Sequence, residues 1–363
     1  MKALTIGGAM IDTIAIIESD RIERMSMLNA ETSFLLLEEG RKTESLEVST
    51  HCGGGAVNTA IAMARLGLDV ATLIKLGRDD RAEQILARLN EEGVSTRWVN
   101  RDGKAPTGAS VLLSSHDRNA AVFTFRGANT LLEAADLDED AFAVDLVYVS
   151  NLSNQSADCY PLIIDKAKTN GALLAVNPGV RQLSARAGAF QECLPQVDIL
   201  AINRPEADIM VASLVAKFGE GGQTLALQPG EHPPALVARG LVAGGYEMSL
   251  PAFLGALRKL GTKCVLLTDS RSGAFACVDD EILFCPALPT EVAGTAGAGD
   301  AFAATFAAFL ALGRSGAEAL RAATINAASV VTHVDTQTGL MRRKALEARL
   351  LAAQDLPLRK WPL

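Results

Sequence analysis

From Leu146 onward the chain alternates short, continuously apolar runs with amphipathic ones, and this alternation limits the fold more than any other feature. The pattern predicts strands over 146–150, 172–176 and 198–202, and helices over about 157–169 and 205–217. A strand that is apolar at every position has both faces covered. Strands of that kind, separated by helices, form a parallel sheet with helices on both sides. Its binding crevice lies at the C-terminal ends of the strands. Residues just past each strand are therefore the first candidates for function. Further strands are expected at 3–6, 70–76, 264–268, 274–279 and 282–286, and one beginning at Gly93-Val94. Helices are expected at 317–331 and 342–353. An Asp80-Arg81-Ala82-Glu83 capping box should open a helix to Glu91.

One of these junctions has unusual composition. Gly294-Thr295-Ala296-Gly297-Ala298-Gly299-Asp300 precedes the apolar run Ala301 to Leu312. Gly297 and Gly299 allow a sharp turn and leave its N–H groups uncovered. The helix beyond adds unpaired N–H groups and the positive end of its dipole. Together they make an anion site, with Gly297, Ala298 and Gly299 as the cradle. A carboxylate cannot bind that anion, so Asp300 is a candidate proton acceptor from a hydroxyl attacking phosphorus. Gly, Ala and Asp before an apolar helix are also ordinary N-terminal capping chemistry. The heptad alone leaves both readings open.

Composition excludes several classes. At 49% hydrophobic and 21% charged, the chain can bury a large core as one domain over 1–363. A net charge of −8 and the lack of a Lys/Arg block argue against nucleic-acid or membrane partners. No apolar run reaches a membrane span, and the N-terminus lacks a signal-peptide pattern. The six cysteines form no CxxC pair, which points to free thiols and a cytoplasmic location. The four scattered histidines do not suggest zinc. There is no Walker A motif and no G-x-G-x-x-G after a strand, so neither a P-loop kinase nor a dinucleotide-dependent oxidoreductase is expected.

GTAGAGDAFAATF (294–306) resembles the C-terminal signature of the PfkB, or ribokinase-like, carbohydrate kinases, usually D-T-x-G-A-G-D. GGGAVNTAIAMARLG (53–67) resembles their N-terminal signature, and the likeness runs in order from about Gly7 to Gly339. The resemblance implies a three-layer α/β/α fold with a mainly parallel central sheet. It also implies a small β lid over the substrate, from about 13–52 and 107–127, with strands near 14–18, 33–38, 45–50, 108–113 and 120–125. Such lids serve in dimerisation, so a homodimer is expected. Gly294 stands where the family usually has an Asp associated with a monovalent-cation site. Little potassium dependence is therefore expected.

The same resemblance assigns roles to single residues. Asp12, five residues after Gly7, would bind substrate hydroxyls, with Gly53, Gly54, Asn58 and Asn177 beside it. A turn aspartate bonded to its own backbone would also account for Asp12, and helix capping for Asn58. Asn203 and Glu206, an N-x-x-E motif, would help to place Mg²⁺ and phosphate, usually through water; they also make a good capping box around Pro205. Thr268 and Gly273 match the nucleotide loop, commonly T-x-G-x-x-G, with Ser270 in place of its first Gly. A plain hairpin explains them equally well. Asn326 would line the adenine pocket. Residues 209–258, with helices expected at 235–243 and 250–260, carry no assigned role.

The implied activity is ATP- and Mg²⁺-dependent phosphorylation of a hydroxyl on a small unphosphorylated sugar: ribose-like, fructose-like or a keto-deoxy sugar acid. A nucleoside kinase of the same family, or a catalytically weak sugar- or nucleotide-binding relative, is the alternative. No Lys or Arg lies near 7–12 or 51–58, which disfavours a phosphorylated acceptor.

Overall fold

Six apolar runs lie side by side and point the same way: Asp69–Leu73, Lys2–Ile6, Leu146–Val149, Leu173–Val176, Ile199–Asn203 and Cys264–Thr268. Three antiparallel strands, Ala274–Val278, Glu281–Cys285 and Arg359–Pro362, extend the far edge. This is a computed structural model, and it describes all residues except 19–22, 27–32, 37–38, 41, 116–119, 223, 228–229 and 354–355.

The sheet is covered on both faces because successive residues of its strands feed opposite cores. Ala3 joins one core while Leu4 and Ile6 join the other; Tyr148 joins the first, Val147 and Val149 the second. The first core is closed by helices Gly55–Arg65, Asp80–Glu91, Ala298–Ala311 and Gly316–Val330. The second is closed by Tyr160–Thr169, Arg204–Phe218 and Leu250–Lys259. The result is the expected three-layer α/β/α arrangement. Helix Ala298–Ala311 is buried without a break from Ala301 to Phe309. A helix apolar all round belongs in the core, and its alanines let it lie close to its neighbours. Its first turn, with Asp300, is thereby anchored to the core.

A second sheet has the order Ala120–Phe125, Gly108–Ser115, Met10–Ile17, Glu47–Gly53. Met10–Ile17 runs parallel to Gly108–Ser115 and antiparallel to Glu47–Gly53. It starts just beyond Lys2–Ile6 of the main sheet, so it hangs over the C-terminal strand ends.

Several local expectations change. Ser33–Leu36 pairs with Glu23–Ser26 in a separate hairpin instead of joining the second sheet, since local pairing closes the shorter loop; residues 37–38 lie outside the described residues. The run at 70–76 breaks into Asp69–Leu73 and Lys75–Leu76. No strand begins at Gly93, where Ala71 and Ser95 make only an isolated bridge. Asp79, not Asp80, caps helix Asp80–Glu91, its side chain accepting from the Ala82 N–H at 3.0 Å. The helix expected over 235–243 stops at Arg239, where Gly240 takes φ 71 and lets strand Leu241–Ala243 begin. All six cysteines are free. Among the described residues no helix is long and apolar enough to cross a membrane.

Candidate active site

The turn before helix Ala298–Ala311 needs glycine at its cap for two reasons. Gly297 adopts φ 77, and a Cβ there would stand 2.6 Å from Thr336 Cβ. No side chain caps the helix, so the N–H groups of its first turn stay available. A Cβ on Gly299 would meet nothing within 4 Å, which leaves the approach open. An acidic residue at this third helical position would normally help to cap. Asp300 instead accepts from Asn58 Nδ2 at 2.8 Å through Oδ2.

Asn58 is held at both ends of its amide. Its Oδ1 accepts from Thr336 Oγ1 at 2.9 Å and from Gln337 Nε2 at 3.2 Å. Gln337 Nε2 also donates to the Cys52 carbonyl at 2.8 Å, and its Oε1 accepts from Arg88 Nε at 3.0 Å. Asn58 is only 4% exposed. No capping bond to its own helix is made; the amide bridges Asp300 to Thr336 and Gln337, and one N–H of Nδ2 is not used in these bonds.

Across the cleft, Ser110 Oγ donates to Asp12 Oδ1 in a short hydrogen bond, joining neighbouring strands of the second sheet. The bond is not the local backbone turn that a turn aspartate would make. A Cβ on Gly53 would overlap Asp12 Oδ2. Gly54 has φ 96, and a Cβ there would lie 2.6 Å from the Gly8 carbonyl. Both glycines thus permit the close passage that puts Asp12 opposite helix Gly55–Arg65.

The electrostatics link these groups. Burial pushes the Asp300 carboxyl above its usual range, and the Asp12 charge adds to this, while the Asn58 hydrogen bond opposes it. Asp12 is raised by burial against the Ser110 bond and the His51 charge. Glu206 is pushed up to about 7 by burial, with Asp300 contributing and its own capping bonds opposing. Beneath them Tyr148, 1% exposed, has a hydroxyl without a protein partner. Burial and the charges of Asp300 and Glu206 raise its pKa. Four ionisable groups thus crowd the strand ends.

The remaining candidates divide. Asn203 and Glu206 form a full capping box: Glu206 N–H donates to Asn203 Oδ1 and Asn203 N–H to Glu206 Oε2, both at 2.9 Å. Thr268 is the register partner of Asn203 at adjacent strand ends. Asn177 Nδ2 donates to the Ala201 carbonyl at 2.8 Å, tying two strand ends together and leaving its oxygen free of that bond. Gly273 is buried, and a Cβ there would lie 2.5 Å from the Cys285 carbonyl. Packing against the next strand therefore explains that glycine. Ser270, where a glycine is usual, takes φ 51 and keeps the left-handed turn. Asp269 beside it pairs with Arg239 at 2.9 Å and Arg204 at 3.6 Å, so residues 209–258, assigned no role from sequence, brace this loop.

Asn326 is a correction. It is 0% exposed, donates to Thr305 Oγ1 at 2.8 Å and accepts from the Met341 N–H at 2.9 Å. It locks two core helices to the loop beyond and has no exposed surface.

Sequence reasoning missed Ser110, Thr336 and Gln337. Thr336-Gln337 sits in a polar stretch between helices with no motif of its own. The one available signal was its place just before Gly339, where a Cβ would lie 2.6 Å from Val330 Cα.

The sequence profile of the pfkB family carbohydrate kinases matches residues 23–226 and 248–343. The deoxyribokinase of Salmonella typhi is 25% identical over 328 residues, spanning 90% of this chain and 94% of that protein. The ribokinase of Bacillus subtilis is 25% identical over 303 residues, spanning 82% and 87%. Among solved structures, Arabidopsis thaliana ribokinase complexed with ribose and ATP shares the fold with a TM-score of 0.70 at 20% identity, covering 96% of this chain and 98% of that one. A nucleoside kinase of Methanocaldococcus jannaschii shares it at 0.72 and 17% identity, covering 97% and 99%. With both glycine-rich turns meeting at one carboxylate and the family match spanning most of its length, the chain belongs to the pfkB family of carbohydrate kinases.

Proposed function

We propose that this chain is an ATP-dependent kinase that phosphorylates a hydroxyl of a small unphosphorylated sugar, with Asp300 as the base. The observation that carries the reading is the position of Asp300 within the first turn of an uncapped helix, its Oδ2 held by Asn58 at 2.8 Å. Oδ1 is left to accept the proton of the attacking hydroxyl. A pKa raised by burial makes this carboxylate a better base than a solvated one. As the hydroxyl oxygen bonds to the terminal phosphorus and the bond to ADP breaks, charge collects on the transferred group. The N–H groups at Ala298 and Gly299 are aimed where it collects, and donors of this kind are worth about 3 kcal/mol each. Asp12, with Gly53 and Gly54 allowing the approach, would hold the other hydroxyls.

The residues also fit ATP and Mg²⁺. The cradle is open where a Cβ on Gly299 would stand. Among the described residues no cluster of three His, Cys, Asp or Glu could hold a metal alone. Mg²⁺ would therefore be held by nucleotide phosphates, with Asn203 and Glu206 reaching it through water. When bound, it supplies charge neutralisation on those phosphates. Thr268 and Gly273 would border the nucleotide. Gly294 offers no carboxylate, and a Cβ there would stand 3.1 Å from the His333 and Val334 carbonyls. Replacing sodium by potassium should change the rate less than twofold.

The second sheet would act as a lid, since phosphoryl transfer must exclude water. Its face opposite Asp12 exposes Val48, Val111, Phe123 and Phe125. Covering that face against a second copy would give a homodimer. The free thiols suit a cytoplasmic enzyme.

Asp300→Asn decides the central assignment. ADP release with the preferred acceptor should fall by orders of magnitude while the fold and ATP affinity persist. Near-wild-type turnover would refute it.

A further inference from the structure

Between the two spans that match the family profile, 23–226 and 248–343, the chain carries a stretch that the profile does not cover. This stretch is anchored at several points. Helix Ala235–Arg239 buries Leu236, and the hairpin of Leu241–Ala243 and Tyr246–Met248 buries Leu241 and Met248. All three join the core on the face closed by helix Arg204–Phe218, against which the hairpin packs. Asp208 of that helix accepts a hydrogen bond from the Val242 backbone. On the other side, Arg359 of the last strand donates to the His232 carbonyl at 2.7 Å and pairs with Glu231 at 3.2 Å. A segment fixed in this way can hold something else in place.

What it holds is Asp269. Arg239, the last residue of the short helix, donates through Nη2 to Asp269 Oδ1 at 2.9 Å. Arg204 Nε stands farther off, at 3.6 Å from the same oxygen, and Asp208 is the other acid near the two arginines. Asp269 is 6% exposed, and its Oδ2 has no partner among the described residues. A carboxylate so buried needs its cation. Its backbone closes the loop as well. The Asp269 N–H donates to the Gly273 carbonyl, and the Asp269 carbonyl accepts from the Ser272 N–H, both at 2.9 Å. Within that loop Ser270 takes φ 51. A side chain keeps such a conformation only where its surroundings enforce it.

We propose that Arg239 is a positioning residue for the nucleotide, acting through Asp269 to keep the 268–273 loop in the shape that receives ATP. The inference rests on the kinase reading, in which Thr268 and Gly273 border the nucleotide. Arg239 is partly exposed while the acid is buried. Loss of Arg239 therefore leaves its own helix solvated but strands the Asp269 charge in a dry site. The acid then moves toward water and draws the loop with it. The flanking strands stay paired up to Thr268 and Ala274, so the movement falls on residues 269–273. Asp12, Asp300 and the turn at 297–299 lie on other segments and keep their places. The signature is a change in KM confined to one of the two substrates.

The test uses the full chain with Mg²⁺ and the preferred acceptor, and reads ADP release against ATP concentration. Arg239→Met should raise the KM for ATP by about 10-fold, while kcat and the KM for the acceptor move less than about twofold. Arg239→Lys, which keeps the charge, should recover part of the loss. Adding Asp269→Leu to Arg239→Met removes the stranded charge. It should return the KM to within about threefold of the wild type, since apolar groups can replace a buried ion pair at little cost. A role in stability alone would lower the melting temperature and leave the KM for ATP unchanged. That result, or no recovery in the double variant, overturns the proposal. Calorimetry with ADP and Mg²⁺, without acceptor, separates it from the kinase reading. Normal sugar phosphorylation with an unchanged KM for ATP in Arg239→Met overturns this inference and leaves that reading standing. If no sugar is turned over, weaker ADP binding by Arg239→Met still supports the brace, and equal or absent ADP binding overturns it.

Discussion

Replacing Glu206 with Gln should stabilise this protein at pH 8 and leave it unchanged near pH 4. Glu206 is 7% exposed at the third position of helix Arg204–Phe218. Burial and the Asp300 charge move its carboxyl from 4.5 to about 7. Between those values the folded state holds a proton that the unfolded state has released. Stability therefore falls as pH rises through this window, and the loss is complete above about pH 7. At about 1.4 kcal/mol per pH unit, the full span corresponds to roughly 3 kcal/mol. A glutamine keeps an acceptor for the Asn203 N–H, bonded at 2.9 Å, and carries no charge to bury. Urea denaturation of both proteins from pH 4 to 8, without nucleotide, reads the effect. The two curves should meet near pH 4 and diverge by roughly 2–3 kcal/mol at pH 8, with the Glu206→Gln variant the more stable. A variant that is less stable at pH 8, or a difference independent of pH, would refute the reasoning. It would mean that the helix N-terminus stabilises the carboxylate more than burial opposes it.

Two further changes probe the supports of the site. Arg65 holds Glu92 in a two-pronged ion pair and donates to the Gln337 and Leu340 carbonyls, both at 2.7 Å. Arg65→Met should cost about 3 kcal/mol in urea, because Glu92 is 5% exposed and keeps only Arg88 and the more distant Arg342. It should also lower kcat more than it raises the KM for ATP; a loss under about 1 kcal/mol with normal turnover would sink the idea. Ser270→Gly should raise thermal stability by about 0.5–1 kcal/mol, as φ 51 costs a side chain roughly 1–2 kcal/mol and glycine returns part of that as chain entropy. A drop in melting temperature would argue that the Ser270 side chain holds the loop.

The layered sheet was legible because every central strand needs apolar residues on both faces, a condition visible residue by residue in runs such as Val147, Val149, Leu200 and Ile202. The glycines at 53, 54 and 297 were legible because each marks a backbone passage that a Cβ would block. The role of Asn58 was not. An amide on the first turns of a helix reads equally as ligand or cap, and its bridge to Asp300, Thr336 and Gln337, more than 240 positions away, shows only in the folded chain. Asn326 failed for the opposite reason. The resemblance set it beside the nucleotide, but the polar residue faces the core to join Thr305 and the Met341 N–H. Ser33–Leu36 shows a third limit: strand content can be read locally, whereas the choice of partner depends on which pairing closes the shorter loop.

These supports converge on a single carboxylate. Arg65 and Arg88 fix Gln337, Gln337 and Thr336 fix Asn58, and Asn58 fixes Asp300. Each bond is modest alone, near 1 kcal/mol net for a neutral pair. In series they remove rotamers from a side chain that must present one oxygen to one proton, and small misplacements at such a group are costly to rate. The chain draws these supports from helix Gly55–Arg65, from Asp80–Glu91 and from the loop ahead of Gly339. Those segments meet only once the sheet has formed, so the base is positioned by the completed fold and not by the glycine-rich turn that carries it. Gln337→Ala removes the middle link without touching the turn, and should therefore keep nucleotide binding at the helix end yet lower turnover. Unchanged turnover in that variant would break the line of support at its middle.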